Sequence, residues 1–234
     1  MTRSRSDAFS PVNCRPLRGV IFDMDGVLTD TIEFHYQTWQ RLADEEGIPF
    51  NRQANEALRG LSRRDSLLRM LQGRVLPESK IQELLDRKNR YFRSFIETMT
   101  ADYLLPGVRP FLDDVREAGI KTAVASASQN VYVVIDKLGI APDIDIITNV
   151  YDVDRPKPAP DVFLYAAQQL GLGPEDCVVF EDAESGVEAA RAAQMRVVGL
   201  GDAAQVGAAD WILPGLDGIR WHHVQGKLGA ISSP

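Results

Sequence analysis

Residues 19–31, GVIFDMDGVLTDT, join a short apolar run to a loop that carries three aspartates. Asp23 and Asp25 lie two positions apart directly after the run, and Asp30 follows five residues later. Like charges held close together resist joint ionisation unless a cation or a proton relieves them. The apolar run predicts a buried strand, and the aspartates predict a charged site at the end of that strand.

Short apolar runs of the same kind recur along the chain and alternate with helical patterns. The runs are KTAVAS at 121–126, IDII at 144–147, CVVF at 177–180, RVVGL at 196–200 and WIL at 211–213. The helical patterns cover about 107–118, 128–138, 159–171 and 183–193, and three of them end near Gly119, Gly139 and Gly171. Such short runs suit buried parallel strands. The alternation therefore predicts an α/β fold with a doubly wound, mostly parallel, Rossmann-like sheet.

One interval, from Thr31 to Asp102, breaks this alternation and shows only helical periodicity. A helical insertion after the first strand accounts for it, because the α/β pattern then resumes. We therefore expect an α/β core formed by residues 17–30 and 103–234 and an inserted helical cap formed by residues 31–102. Residues 1–16 are expected to form a disordered tail, because they contain no apolar core.

The composition excludes several classes of protein. The net charge is −7 and the isoelectric point is about 5.1, which with no long basic run argues against a nucleic-acid or anionic-membrane partner. Cys14 and Cys177 are too few for a disulfide framework, and no apolar stretch reaches the roughly 18 residues of a membrane span. We therefore expect a cytoplasmic monomer that acts on a small molecule.

Polar side chains follow four of the predicted strands, at the carboxyl ends where open α/β sheets bind ligands. They are Asp23 and Asp25 after the first strand, SASQN at 126–130 after the second, Lys157 after the third, and Glu181 with Asp182 after the fourth. Each residue taken singly could instead cap a helix. Because the four strand ends converge, the whole set predicts one site.

The residue types at this site suit the chemistry of phosphate. Four carboxylates make the oxygen-rich surroundings that Mg²⁺ prefers. Lys157 adds a fixed positive charge, while Ser126 and the N–H groups that begin the next helix can hold phosphate oxygens. A carboxylate nucleophile, a metal ion, a lysine and an anion site together predict phosphoryl transfer.

The segments DMDGVLTD, SAS, KPAPD and FEDAESG resemble the four motifs of the haloacid dehalogenase superfamily, and the match extends over nearly the whole chain. The resemblance implies that Asp23 is the nucleophile that forms an aspartyl-phosphate and that Asp25 is the general acid and base. It implies a Mg²⁺ site made by Asp23, Asp25 through its backbone carbonyl, Glu181 and Asp182. By the same resemblance, Ser126 holds the transferring phosphate and Lys157 neutralises charge, whereas Asp30 is expected to cap the first cap helix.

Three stretches of the predicted cap place polar residues where they could face a substrate. Thr31, His35 and Trp39 share one helical face, although a core stripe with an incidental histidine explains this spacing equally well. In RGLSRRDSL, residues 59–67, Ser62 has the pattern of a helix N-cap, and Arg63 in the first turn is either an anion ligand or a solvated surface residue. Lys88 lies on an apolar stripe, where it needs an anion unless its chain extends to the edge.

The segments DGVLTDTIEFHYQTWQRLA, LRGLSRRDSLLRML, RKN and SASQN resemble one branch of that superfamily, the β-phosphoglucomutases. The resemblance implies exchange of hexose (glucose) 1-phosphate and 6-phosphate through an aspartyl-phosphate and a hexose 1,6-bisphosphate, which also primes the enzyme. It adds Thr31 and His35 to the catalytic residues, with His35 supporting Asp25. The implied substrate-binding residues are Trp39, Gly60, Ser62, Arg63, Ser66, Lys88, Ala127, Ser128, Gln129 and Asn130.

Position 129 departs from this branch, since many members have a lysine where this chain has Gln129. Glutamine donates hydrogen bonds but carries no charge, so we expect weaker binding of the distal phosphate or a somewhat different sugar phosphate. Arg155 could compensate, or it could be an exposed loop residue.

Two other functions stay open from the sequence. A Mg²⁺-dependent sugar-phosphate phosphatase would use the same chemistry at Asp23 and differ only in the acceptor. A catalytically idle binding protein is the second alternative, and the complete set of Asp23, Asp25, Lys157, Glu181 and Asp182 argues against it.

Overall fold

The computed structural model describes residues 16–229, and this part of the chain contains one six-stranded parallel sheet. The strands are β1 (Gly19–Phe22), β2 (Lys121–Ala125), β3 (Ile146–Thr148), β4 (Cys177–Glu181), β5 (Arg196–Leu200) and β6 (Trp211–Leu213). Their order across the sheet is β3-β2-β1-β4-β5-β6. The predicted doubly wound sheet is confirmed, with β1 near its centre. The predicted tail, except Pro16, lies outside the described residues.

Ten α-helices are present in the described residues: four lie in the interval that breaks the α/β alternation, and six come after it. The first four are α1 (Ile32–Glu46), α2 (Arg52–Glu56), α3 (Arg63–Met70) and α4 (Glu78–Ile96). The others are α5 (Val108–Glu117), α6 (Val131–Lys137), α7 (Asp161–Leu170), α8 (Glu184–Ala192), α9 (Ala203–Val206) and α10 (Trp221–Leu228). None of them is both long and apolar enough to cross a membrane.

Alternate residues of β1 pack against helices on opposite faces of the sheet. Val20 and Phe22 join one buried cluster, where the Phe22 ring meets the edge of Phe111 from α5 at 6.1 Å between centroids. Ile21 joins a second cluster with Phe163 of α7. Because side chains of a strand alternate between its faces, a strand covered by helices on both faces is apolar throughout, as GVIF is.

The register of the central strands brings their carboxyl ends to one level. Phe22 is paired with Val124 of β2 on one side and with Phe180 of β4 on the other. The residues that follow, Asp23 and Glu181 among them, therefore begin at the same edge of the sheet. The strand order reverses between β1 and β4, because β2 and β3 lie on one side of β1 and β4 to β6 on the other. Open α/β sheets bind ligands at the carboxyl ends of the strands at such a reversal.

Helices α1 to α4 make the insertion that the sequence predicts between β1 and β2. Trp39, Leu42, Leu67 and Leu84 belong to a third buried cluster, whose members all come from residues 39–85. The end of α4 is different, because Phe92, Ile96 and Met99 pack with the sheet cluster. We propose the division into residues 17–30 and 103–234 as core and residues 31–102 as cap on these grounds.

Two elements begin later than the sequence predicts, and side-chain hydrogen bonds explain both. The helix expected from residue 128 begins at Val131, because Ser126 and Ser128 accept the N–H groups of Ser128 and Asn130 at 3.0 and 3.2 Å. The strand expected from residue 144 begins at Ile146. There the Asp145 carboxylate, and not a backbone carbonyl, accepts the N–H of Thr122 at 2.8 Å, so the ladder is incomplete at this residue.

Candidate active site

Lys157 joins the ends of three strands at the base of the site. Its Nζ donates to Asp23 Oδ1 at 2.6 Å, to Glu181 Oε1 at 2.7 Å and to the Ala125 carbonyl at 3.1 Å. The lysine side chain is only 1% exposed. Asp23 is held from the other side, since its N–H donates to the Phe180 carbonyl at 2.9 Å. One oxygen of Asp23 is thus fixed by Lys157, which leaves the second oxygen without this partner.

Burial and mutual repulsion govern the charges of this group. Burial raises the pKa of Asp23 well above its usual value; Lys157 opposes the shift, and Glu181 adds to it. Burial alone would lower the pKa of Lys157, but the carboxylates of Asp23 and Glu181 raise it above its usual range. Both shifts favour the charged form of Lys157, and a further cation near Asp23 would favour its ionised form.

A cluster of three buried carboxylates can supply the place for that cation. Asp23, Glu181 and Asp182 each offer an oxygen within 4.8 Å of the others. Burial, and then the charge of Glu181, raises the pKa of Asp182 to about 7. The donors are all oxygen atoms and carry excess negative charge, so the residues fit a hard divalent cation such as Mg²⁺. The Asp25 side chain is outside this cluster, and its expected metal contact through the backbone stays a prediction.

Glu181 is packed so closely that its position allows no adjustment. Its second oxygen, Oε2, accepts the N–H groups of Asp182 at 2.9 Å and Ala183 at 3.1 Å. A Cβ added to Gly186 would lie 1.8 Å from Glu181 Oε1. Glu181 therefore acts first as the anchor of Lys157, and only its close approach to Asp23 and Asp182 gives it a place at the metal cluster.

Asp25 ends a line of hydrogen-bonding groups that comes from the cap. The Thr31 hydroxyl donates to Asp25 Oδ1, and His35 Nε2 lies 3.9 Å from the same oxygen. Lys88 Nζ lies 3.0 Å from His35 Nδ1. When Lys88 is protonated, its ammonium group can only donate, so Nδ1 is then the acceptor and the ring proton sits on Nε2, on the side of Asp25. His35 Nε2 is buried and has no other partner among the described residues.

The pKa shifts along this line follow from burial. Burial raises the pKa of Asp25, while the hydrogen bond from Thr31 opposes the rise. Burial lowers the pKa of His35 well below its usual value, and the charges of Lys88 and Arg63 lower it further. Burial therefore favours the neutral form of His35, and the raised pKa of Asp25 favours its protonated form, as a general acid requires.

Lys88 lies inside the molecule and does not reach its surface, so the alternative of a lysine at the edge of the stripe is wrong. The residue is 1% exposed, and its Nζ lies 4.9 Å from the centre of the Trp39 ring and 4.5 Å from that of Phe92. Burial, and then Arg63, lowers its pKa well below the usual value. Within residues 16–229 no carboxylate lies at ion-pair distance from Lys88.

A cavity between the inserted helices and the sheet edge collects most of the predicted residues. Those that line it are Asp23, Asp25, His35, Trp39, Gly60, Arg63, Ser66, Lys88, Ala127, Ser128, Gln129, Asn130 and Asp182. Three predicted residues are not part of this lining: Lys157 is bonded to Asp23, Thr31 to Asp25, and Glu181 to Lys157. Asn130 is held by Asn89 of α4, whose side-chain oxygen accepts from it at 3.0 Å.

Two predicted residues make other contacts. The Ser62 hydroxyl accepts the N–H of Asp65 at 3.1 Å and so caps α3, as the alternative interpretation of this residue stated. Ser126 is fully buried and accepts from Ser128, and it is not part of the cavity lining. Arg155 pairs with Asp161 at 3.0 Å and is 70% exposed in its side chain, so it does not compensate for Gln129.

Within residues 16–229, six further residues that no sequence pattern singled out line the cavity, and Arg59 is the one charged residue among them. Its guanidinium pairs with Asp182 across the boundary between the inserted helices and the sheet. The others are Ile32, Asn55, Leu58, Leu61 and Phe92. Arg59 opens the basic segment RGLSRR, so a signal existed, but the spacing alone gave no reason to prefer it to Arg63.

Comparison with known proteins agrees with this geometry. The family of haloacid dehalogenase-like hydrolases matches residues 17–194. A β-phosphoglucomutase of Bacillus subtilis is 38% identical over 201 residues, which cover 84% of this chain and 89% of the relative. A fructose-1-phosphate phosphatase of Escherichia coli is 31% identical over 193 residues, which cover 77% of this chain and 94% of the relative.

A solved structure leads to the same family. The crystal structure of a β-phosphoglucomutase from Clostridium difficile matches with a TM-score of 0.87 and 34% identity, over 90% of this chain and 96% of that one. The relatives include both phosphomutases and phosphatases, so phosphoryl transfer is the activity they share. The chain belongs to the haloacid dehalogenase superfamily, in its β-phosphoglucomutase-like branch.

Proposed function

We propose that this protein is a phosphomutase that interconverts a hexose 1-phosphate and a hexose 6-phosphate, with glucose phosphate as the first candidate. The observation that carries the proposal is a pair of cationic side chains in the cavity lining, in addition to Lys157 beside Asp23. They are Arg63 and Lys88, and neither has a carboxylate at ion-pair distance among residues 16–229. Hydrolysis of one phosphate needs one anion site, whereas a bisphosphate intermediate needs a second, which these two cations offer.

The reacting end is built for nucleophilic catalysis by Asp23. In the first half, the 6-hydroxyl of hexose 1-phosphate attacks the phosphorus of phospho-Asp23, and the bond between phosphorus and the Asp23 oxygen breaks. The hydroxyl proton passes to Asp25. The bisphosphate then turns over, an Asp23 oxygen bonds to the other phosphorus, and the sugar oxygen that leaves takes the proton from Asp25.

The surrounding residues orient these two carboxylates. Lys157 holds Asp23 Oδ1 at 2.6 Å, so that attack comes from the other oxygen. Thr31 and the Nε2 side of His35 face Asp25 Oδ1 and position its carboxyl group. Mg²⁺ held by Asp23, Asp182 and the nearby Glu181 would neutralise charge on the transferring phosphoryl group.

The inserted helices favour transfer to a sugar over transfer to water. Trp39, Leu58, Leu61 and Phe92 give the cavity apolar walls opposite the sheet edge. Because such walls exclude bulk water, the acceptor nearest to phospho-Asp23 is the bound sugar hydroxyl. Gln129 lines the same cavity without a charge, and we propose that it lowers affinity for the distal phosphate.

Phosphorus NMR can separate the two activities in one reaction. The protein is given β-glucose 1-phosphate, Mg²⁺ and a small amount of glucose 1,6-bisphosphate as primer, and glucose 6-phosphate and inorganic phosphate are followed together. The proposal expects glucose 6-phosphate to form well ahead of inorganic phosphate and to depend on the primer. Release of inorganic phosphate in step with substrate loss would instead identify a phosphatase. A panel of other α- and β-hexose and disaccharide phosphates then defines the sugar.

A further inference from the structure

The loop after α2 docks directly on the loop after β4. The Arg59 guanidinium pairs with Asp182, and the Ser185 hydroxyl donates to the Arg59 carbonyl at 3.3 Å. A Cβ added to Gly60 would lie 2.4 Å from Ser185 Oγ and 3.0 Å from Ala183 Cβ. The inserted helices and the sheet edge are thus in close contact at residues 59–60, which we call the docking loop.

Within the part of the chain that the structure describes, one hydrogen-bond donor of Arg59 is unsatisfied in the docking contact. Arg59 is held on its own side by Glu56, whose Oε2 lies 3.3 Å from Nη1. Its Nε, however, is buried and has no hydrogen-bond partner among the described residues. A buried donor without an acceptor destabilises the state that contains it. This unpaired donor offsets part of what the ion pair with Asp182 contributes to the docked position.

Asp182 also belongs to the carboxylate cluster suited to a divalent cation. Its side chain is 7% exposed, and Arg59 is the cation that pairs with it in this structure. A guanidinium bonded to Asp182 cancels charge that the cluster needs to attract the metal, and it repels a second cation a few ångströms away. A docked Arg59 and a bound metal ion therefore oppose each other.

We propose that Arg59 is an internal competitor of the divalent cation. In the metal-free protein its guanidinium occupies Asp182 and keeps the docking loop on the sheet edge. Metal binding displaces the guanidinium and releases the loop, so the substrate-free enzyme opens when it takes up Mg²⁺. Linkage is reciprocal: if bound metal weakens docking, docking weakens metal binding. Any change that prevents docking should therefore tighten metal binding. The inference rests on the proposed metal site and is independent of whether the acceptor is a sugar or water.

Calorimetric titration of the metal-free, substrate-free protein with Mg²⁺ tests the first consequence. Arg59→Gln should lower the Mg²⁺ dissociation constant by about 5-fold or more, the usual lower range for coupling between sites. Gly60→Ala should lower it as well, although it changes no charge, because the added methyl group overlaps Ser185 Oγ, crowds Ala183 Cβ and strains the backbone at a φ of +70°. Arg64→Gln is the matched control: Arg64 pairs with Glu78 at 2.6 Å, half exposed, and its loss should leave the constant unchanged.

Hydrogen exchange supplies a second measurement, because charge repulsion between Arg59 and the metal ion would not by itself change the exchange rates of the backbone amides. Backbone amides of residues 58–62 should be protected in the metal-free parent and exchange faster when Mg²⁺ is added. In Arg59→Gln and Gly60→Ala they should exchange fast with or without metal. Equal Mg²⁺ affinity in the parent and both variants, or protection that rises with Mg²⁺, overturns the competition. A tighter constant in Arg59→Gln alone also overturns it, since simple charge repulsion then suffices. A parent that binds no Mg²⁺ at all overturns the metal site itself.

Discussion

Gly186→Ala should damage the active site although residue 186 lies in a helix and contacts no substrate. In most helices this change is favourable, because alanine is better than glycine by about 1 kcal/mol. At Gly186 the new Cβ would lie 1.8 Å from Oε1, 1.9 Å from Cδ and 2.4 Å from Oε2 of Glu181. All three carboxylate atoms overlap with it, so the Glu181 side chain must leave its place.

The contacts that Glu181 would lose set the size of the effect. They are the ion pair to Lys157 at 2.7 Å and the N–H groups of Asp182 and Ala183 at 2.9 and 3.1 Å, all fully buried. Disrupting one partner of a buried ion pair costs about 3–5 kcal/mol, which outweighs the gain in helix propensity. We expect a net loss of about 2–4 kcal/mol in the free energy of unfolding. Lys157 would also shift away from Asp23, which should lower phosphoryl transfer about 10²-fold.

Urea unfolding and hydrolysis of acetyl phosphate measure the two effects separately. The control is Gly226→Ala in α10, where a Cβ would meet nothing within 4 Å. It should raise stability by up to about 1 kcal/mol and leave activity unchanged. A Gly186→Ala variant that is as stable and as active as the control would refute the assignment of Glu181 as the rigid anchor of Lys157.

Three further predictions concern the charged groups of the site. Asp23→Asn should abolish turnover, because a carboxamide is a far poorer nucleophile, and fluorine NMR should show beryllium trifluoride bound to the parent but not to this variant. Arg63→Ala should lower conversion of hexose phosphate about 10²-fold and spare acetyl phosphate hydrolysis, with Arg155→Ala as a control that changes neither; a parallel fall in both activities would make Arg63 structural. Burial lowers the pKa of Lys88 in the folded state, so the unfolded chain binds more protons and the contribution of Lys88 to stability rises with pH up to about 10.4. Lys88→Met has no such charge, so its free energy of unfolding in urea should exceed that of the parent by less at pH 9 than at pH 6, and a difference independent of pH would contradict the lowered pKa of Lys88.

Local sequence was enough to predict the sheet because its strands are buried on both faces. GVIF, RVVGL and WIL form strands over the same residues that their apolar runs cover. The N-cap of α1 is Thr31 and not Asp30 as expected, although the Asp30 carboxylate accepts the N–H of Ile32, the first residue of α1, at 3.2 Å. The boundaries that shifted, at residues 128 and 144, depended on side chains that compete with the backbone for hydrogen bonds.

The site was less accessible from sequence, because its residues come from distant parts of the chain. Lys88 was predicted to need an anion, but its spacing could not show that His35, 53 positions away, accepts from it. Ser62 matched both a cap and a ligand, and only the hydrogen bond to Asp65 identified the cap. Arg59 and Asp182, separated by 123 positions, had no sequence signal for their pairing.

The sequence by itself determined the order of strands and helices and the residue types at each strand end, since these depend on burial periodicity and on local turn chemistry. Only the tertiary structure decided which of those residues act together. Whether a carboxylate is paired with a lysine, an arginine or a metal ion depends on distances of a few ångströms between strands and inserted helices. Electrostatic interaction in a buried site changes steeply over such distances, so the pKa shifts of Asp23 and Asp182 follow only from the folded positions of their neighbours.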